Sequence, residues 1–527
     1  MSWHKLVIKD AAWQLFGRII SALFGFVITK IISSYLWPLR YGDYGTIFRF
    51  FARRTALVDF GVYVIAVKRL WAIKEEKWWE SPELKENYHK FVWTRMFMII
   101  IIYTVAIVTA YLIPAYTSNQ FIIRWLPLAM LYSASNMFVW IQQLPLQLFR
   151  KMNRLSRSLI VARLSQLAVL LPTVYLIFKG VKFDWDAVNT TTILAFCCVI
   201  FSVVASSIWQ NLDVHLRSKD LLPFKIDIDL KFIKNIFKEN WRYWFSYFFS
   251  SFHTLIVLMF LGWFFPTSSW YEYVWYWALA LSLLEILLII PSSLGNSLLH
   301  KIPTYSTINK RKSMWNLLSL VARIGWIIAI DFRVFNRDII LFVSSKDFLW
   351  SRESITTWWS NQILPFLGIV LFFSFIKQIF NYLFVSIEKQ NVLFKINLTW
   401  VVIWVLVGLC IIKWLNINVL WQTISIPQLW LLWWIITQVL IETIFMFWAM
   451  IVAWKLKVFP KFQKKAWLEL LWILIIMLII WFFINGWLEN HNLSRRLFLI
   501  IAWIYNLFIV WISLKPLKSV AKWLTID

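Results

Sequence analysis

The chain has 527 residues, of which 61% are hydrophobic and 15% charged, and it carries a formal charge of +27. A soluble domain keeps about a quarter of its residues charged, so this balance excludes a soluble enzyme or binding module. The basic surplus suits nucleic acid, anionic lipid or membrane orientation, and its distribution along the chain decides among them.

A helix that crosses a bilayer needs roughly 20 mostly apolar residues. About fourteen runs meet that demand: 11–36, 43–67, 91–114, 121–149, 158–178, 189–209, 241–265, 271–299, 314–343, 361–387, 392–412, 428–454, 466–486 and 496–514. The ninth is interrupted by Asp331, Arg333, Arg337 and Asp338. The expected class is an all-α polytopic membrane protein. An even count puts both termini on one side. About 32 Lys and Arg then fall on that side and about 10 on the other, which places both termini in the cytoplasm of an inner membrane. The positive charge is thus read as orientation and lipid contact, and nucleic acid is not an expected partner.

The first run is too long for the apolar core of a cleavable signal peptide. Cys197, Cys198 and Cys410 all fall inside apolar runs, with no CxxC pair. The histidines are scattered and no Walker A sequence is present. No metal, cofactor, disulfide framework or ATP hydrolysis is expected.

Trp and Gly are out of proportion, at 38 and 12. Membrane helices use Gly freely at their contacts and keep Trp for the interfaces. Here Trp also stands mid-run and in tight loops, as at Trp37 before Pro38, where Gly suits the backbone better. Many of these positions are expected to be Gly in the cell, since some genetic codes read UGA as glycine.

The longest polar connections lie at about 68–90 and 210–240. The second ends in Lys225 to Lys238, expected as a short amphipathic helix, and divides the first twelve runs six and six. The expected organisation is an N-lobe over 1–209, a cytoplasmic linker over 210–240, a C-lobe over 241–455, and two extra helices with a tail over 456–527. A faint repeat supports two like halves: Trp37-Pro38 to Gly45, and Phe265-Pro266 to Tyr276, each follow an apolar run and precede one ending in basic residues.

Residues 11–69, AAWQLFGRIISALFGFVITKIISSYLWPLRYGDYGTIFRFFARRTALVDFGVYVIAVKR, resemble the N-terminal helix pair of the polysaccharide-biosynthesis (Wzx-like) flippases of the multidrug/oligosaccharidyl-lipid/polysaccharide superfamily. Residues 257–305 resemble the opening of that family's second lobe, and 340–391 its ninth and tenth helices. The resemblance spans about 10–455. It implies a two-lobe, alternating-access flippase, not an enzyme. Such a protein moves a polyprenyl-pyrophosphate-linked oligosaccharide to the outer leaflet for O-antigen or capsule export. Polysaccharide polymerase and glycosyltransferases would be its partners. Two other readings stay open: a multidrug/cation antiporter on the same fold, and a membrane-embedded glycan polymerase or glycosyltransferase.

Each Arg or Lys at mid-membrane costs about 2.5–3.5 kcal/mol on the insertion scale, so such groups face protein or a water-filled space. The candidates are Arg18, Arg49, Arg53, Arg54, Asp59, Arg163, Glu285, Arg323, Lys377 and Glu442. At about 100° per residue, Ala11, Gln14, Ser21, Ala22, Gly25 and Thr29 share the face of Arg18. Arg49 and Arg53 stand one turn apart, and Arg54 is placed to meet a carboxylate such as Asp59 or Glu285. Polar stripes also mark the seventh run (Ser246, Ser250, His253) and the eighth (Ala278, Ser282, Glu285, Ser292). Guanidinium groups offer paired donors to phosphate oxygens. Arg18, Arg49, Arg53, Arg54 and Arg163 are therefore the candidate pyrophosphate contacts, weighed against structural pairing or snorkelling. Asp59 and Glu285 are candidates for ion pairing, or for H+ or Na+ coupling if an antiport operates. Arg124, near a run end, is read as snorkelling.

Overall fold

The structure is a computed structural model. It describes residues 3–59, 62–76, 81–149, 151–179, most of 181–238, most of 279–288, 307–344, 360–387, most of 391–406 and 426–456, with isolated positions elsewhere. All regular structure among the described residues is helical. The chain divides into two compact units, Met1–Ala278 with Gln390–Asn418, and Leu279–Lys389 with Val419–Asp527. Five described helices are long and apolar enough to cross a membrane. The runs at 241–265, 271–299, 466–486 and 496–514 fall wholly or largely outside the described residues, as do Ser246, Ser250, His253, Ala278 and Ser292, whereas most of 392–406 is described and helical.

In the first unit, α1 (Trp3–Asp59) joins the first two apolar runs. The expected Pro-containing turn is reduced to one non-helical residue, Trp37, at φ 57° and ψ 167°. Pro38 explains the immediate restart: it lacks an N–H, and its fixed φ suits the first position of a helix. Next come α2 (Val62–Glu76), α3 (Pro82–Tyr111), the single turn α4 (Pro114–Thr117), α5 (Gln120–Gln142), α6 (Leu144–Leu148) and α7 (Met152–Pro172). A π-helical turn at Thr173–Ile177 ends α7, and α8 covers Thr190–Ser218.

Caps set these starts. Ser81 accepts from the Leu84 amide ahead of Pro82, and Asn119 accepts from Phe121 and Ile122. Asn189 and Thr192 form a reciprocal capping box. Hydroxyls inside α8 are satisfied by their own helix, as Ser202, Ser206 and Ser207 donate to carbonyls three residues back.

α7 packs between α1 and α8, α5 lies against α8 and α1, and α3 lies against α1, α2 and α5. Buried rings fill the space between, among them Phe51, Phe91, Tyr103, Phe121 and Phe196. The α1–α7 crossing is close because Gly17 has no side chain: a Cβ there would stand 2.6 Å from the Ser156 Cβ. The Ser156 hydroxyl donates to the Trp13 carbonyl at the same crossing.

In the second unit, α10 (Thr307–Val334) stops at Phe335 and α11 (Asn336–Val343) resumes. The break falls where the charges interrupt the ninth run. α12 (Ser360–Ser386) packs on α10 and on α13 (Ile426–Lys455). In the first unit a short helix, α9, covers 230–238.

Candidate functional site: a basic interior in the first unit

Arg163 lies near the middle of the apolar span Met152–Ile177 and is half-buried. Its Nε donates to Ser21 Oγ in α1 at 3.3 Å, and its Nη1 donates to Gln166 Oε1 at 3.2 Å. Both acceptors are neutral, so among the described residues no carboxylate balances this cation. Tyr44, in the second half of α1, lies within electrostatic reach of both Arg163 and Arg49. Arg49 is buried.

Arg18 is half-buried on the face shared by Ser21, Ala22, Gly25 and Thr29. Gly25 is itself buried, yet a Cβ placed there would meet nothing within 4 Å, so this stripe borders open space. Arg18 also lies within electrostatic reach of Tyr63, whose hydroxyl hydrogen-bonds with Gln147 and Gln143. The side chain of Gln14 is outside the described part of the structure, and so are those of Arg53 and Arg54, although both arginines lie in α1.

The two buried carboxylates described in this unit are each held by another arginine. Asp43 accepts from Arg40 at 2.8 Å and from Asn119 at 2.7 Å, so both its oxygens are used. Arg40 also donates to the Trp185 carbonyl and stacks over the Phe121 ring at 3.7 Å. One cluster thus ties the α1 kink, the α5 cap and the connection before α8.

Asp59 meets Arg95 at 2.6 Å. Arg95 is 1% exposed and also donates to the Val58 and Met137 carbonyls. Arg95 is absent from the sequence-derived candidates. Its place inside the apolar run 91–114 is the same signal that marks Arg18, but only the fold shows its partners. In the second unit Glu285 is exposed and Arg323 buried, and Lys377 pairs with Glu442 at 2.9 Å beside the Phe445 ring. Arg124 is exposed and donates to Gln120. No group of three or more metal-ligating side chains occurs among the described residues.

Long apolar helices around a polar, basic interior define a multi-pass membrane protein of the MOP transporter fold. The solved lipid II flippase MurJ, in an inward closed conformation, superposes with a TM-score of 0.58 at 13% identity, covering 97% of this chain and 99% of that one. An inward-facing multidrug resistance MATE family transporter of the MOP superfamily gives 0.52 at 13% identity, over 85% and 99% of the two chains. A MOP superfamily transporter from Pyrococcus furiosus gives 0.50 at 12%, over 86% and 96%. At such identities the likeness is one of fold. No curated protein matches the sequence. The sequence profile of the polysaccharide biosynthesis protein family matches residues 7–307, and the chain belongs to that family.

Proposed function

We propose that the protein is a flippase that moves a polyprenyl-pyrophosphate-linked oligosaccharide from the cytoplasmic to the outer leaflet by alternating access. The observation that carries this reading is Arg163, a guanidinium at the middle of an apolar span held, among the described residues, by neutral oxygens alone. A cation placed there at a cost of several kcal/mol calls for an anionic visitor. Arg49 and Arg18 bring further positive charge to the same unit, and Asp43 and Asp59 are committed to Arg40 and Arg95. The same commitment disfavours a multidrug/cation antiporter, which needs carboxylates available in its cavity. Family membership supports a role in polysaccharide assembly. The excess of Lys and Arg in alternate connections supports cytoplasmic termini in an inner membrane.

In this mechanism the lipid tail stays in the bilayer while the head group crosses. Arg163, Arg49 and Arg18 donate to pyrophosphate oxygens, and Arg53 and Arg54 are placed on the same helix as Arg49 to extend that set. Ser21 and Gln166 hold the Arg163 fork in position when no substrate is present.

Translocation of the lipid-linked oligosaccharide by purified protein in proteoliposomes tests this. Arg163→Ala should cut the initial rate at least tenfold while leaving the amount of inserted, monodisperse protein unchanged. Arg163→Lys should restore part of the rate, since an ammonium keeps the charge but loses the paired donors. Arg124→Ala should transport normally. Full transport by Arg163→Ala would remove the substrate site proposed here.

A further inference from the structure

Residues 230–238 form the short helix α9, begun by Asp229, whose carboxylate accepts the Phe232 amide at 2.9 Å. Its two arcs differ sharply. Ile233 and Ile236 are buried, and Phe232 packs edge-to-face on Phe91 of α3 with ring centroids 5.1 Å apart. Lys90 of α3 holds Asp229 at 3.1 Å. The apolar arc is therefore spent on the protein, beside the first turns of a helix long enough to cross the membrane.

The opposite arc carries Lys231, Lys234 and Lys238, all exposed, and none forms an ion pair among the described residues. At 100° per residue these three fall within an arc of about 60°. Leu230 borders them at 63% exposure, and Ile228 precedes them at 65%. Three like charges on one face repel one another, and two aliphatic side chains in water gain nothing. Both features become favourable at one surface: ammonium groups at phosphate level, with aliphatic chains reaching into the acyl boundary.

We infer that the outer face of α9, with Ile228 and Leu230, is a docking site for anionic phospholipid headgroups of the bilayer that holds the protein. Its contacts to α3 make the helix a rigid outrigger, so lipid binding there fixes the depth and tilt of α3. The site is separate from the basic interior, and its test does not read transport.

The test uses full-length protein with the three native cysteines replaced and Ile228→Cys carrying a polarity-sensitive NBD fluorophore. It is reconstituted in vesicles of phosphatidylcholine alone or with roughly a third phosphatidylglycerol. Emission should shift to the blue only with phosphatidylglycerol, and half-molar salt should reverse the shift. Lys231→Gln, Lys234→Gln and Lys238→Gln together should abolish it, and each alone should weaken partition of the segment about fivefold. These side chains are exposed, so the variants keep the fold. Equal emission in both vesicle types, or a shift that survives the triple substitution, would overturn the inference. A shift that appears only when soluble acidic protein is added would do the same.

Discussion

At the residue scale the interior arginines divide by what holds them. Arg95 is enclosed by Asp59, two carbonyls and the Met137 thioether. Arg163 is held, among the described residues, by a hydroxyl and an amide oxygen. Removing one member of a buried ion pair strands the other, at about 3–5 kcal/mol. Arg95→Ala should therefore lower the thermal midpoint of the purified protein sharply. Arg95→Met with Asp59→Leu should recover much of that loss, because the stranded charge goes too, whereas Arg163→Ala should barely move the midpoint. The sequence shows that both are cations inside apolar runs. It cannot show which has a carboxylate, because Asp59 reaches Arg95 only once α1 and α3 pack. Trp37 is the opposite case, legible from its place before Pro38. It is the single non-glycine residue at positive φ among the described residues, in a region of backbone space that is essentially glycine's own. Its side chain is 56% exposed, so little packing offsets the strain. Trp37→Gly should raise stability by about 1–3 kcal/mol, and Trp37→Ala should not, as read by thermal unfolding in detergent. The intact mass of protein from its native cells checks whether glycine already stands there.

At the element scale, the apolar runs at 91–114, 158–178, 189–209 and 361–387 each correspond to one described helix, since burial in lipid demands one length of unbroken backbone pairing. The lengths of two breaks are not legible, even where their positions are. The kink at Trp37 needs only one residue because Pro38 restarts the helix, and the π-helical end of α7 leaves no mark in the hydropathy. The polar connection after α8 is held by carboxylates. Hydrogen bonds from Arg154 hold the Asp220 carboxyl below its usual range, and the Phe232 amide, followed by Lys90, does the same for Asp229. A carboxylate that binds its proton less tightly when folded contributes stability above the unfolded value near 3.9. That contribution disappears as pH falls through the lowered folded value. A spin label at Lys225→Cys should therefore keep the same mobility from pH 8 to about pH 5 and loosen only below about pH 4. Loosening between pH 7 and 6 would mean that these ties do not hold the segment.

At the scale of the whole molecule, the remaining question is what drives the cycle. The buried carboxylates among the described residues, Asp43, Asp59 and Glu442, each face a basic side chain within 2.9 Å. Each is thus already engaged by a cation of the protein itself. On the function proposed above the membrane potential supplies a drive, since a pyrophosphate head group leaving a negative interior would gain about 2.3 kcal/mol per charge per 100 mV. Two charges would bias the leaflet distribution by roughly three orders of magnitude at that potential. In proteoliposomes with a potassium diffusion potential set by valinomycin, flipping away from the negative side should accelerate steeply as the potential grows. Clamping the potential to zero should leave only slow equilibration, whatever proton or sodium gradient is imposed. Arg163→Ala should lose rate at every potential yet keep the dependence on it, because on the proposed function the charge that moves belongs to the substrate. Rates that followed a proton or sodium gradient at zero potential would instead assign coupling to a carboxylate, and Asp59→Asn and Glu285→Gln would then be the variants to compare.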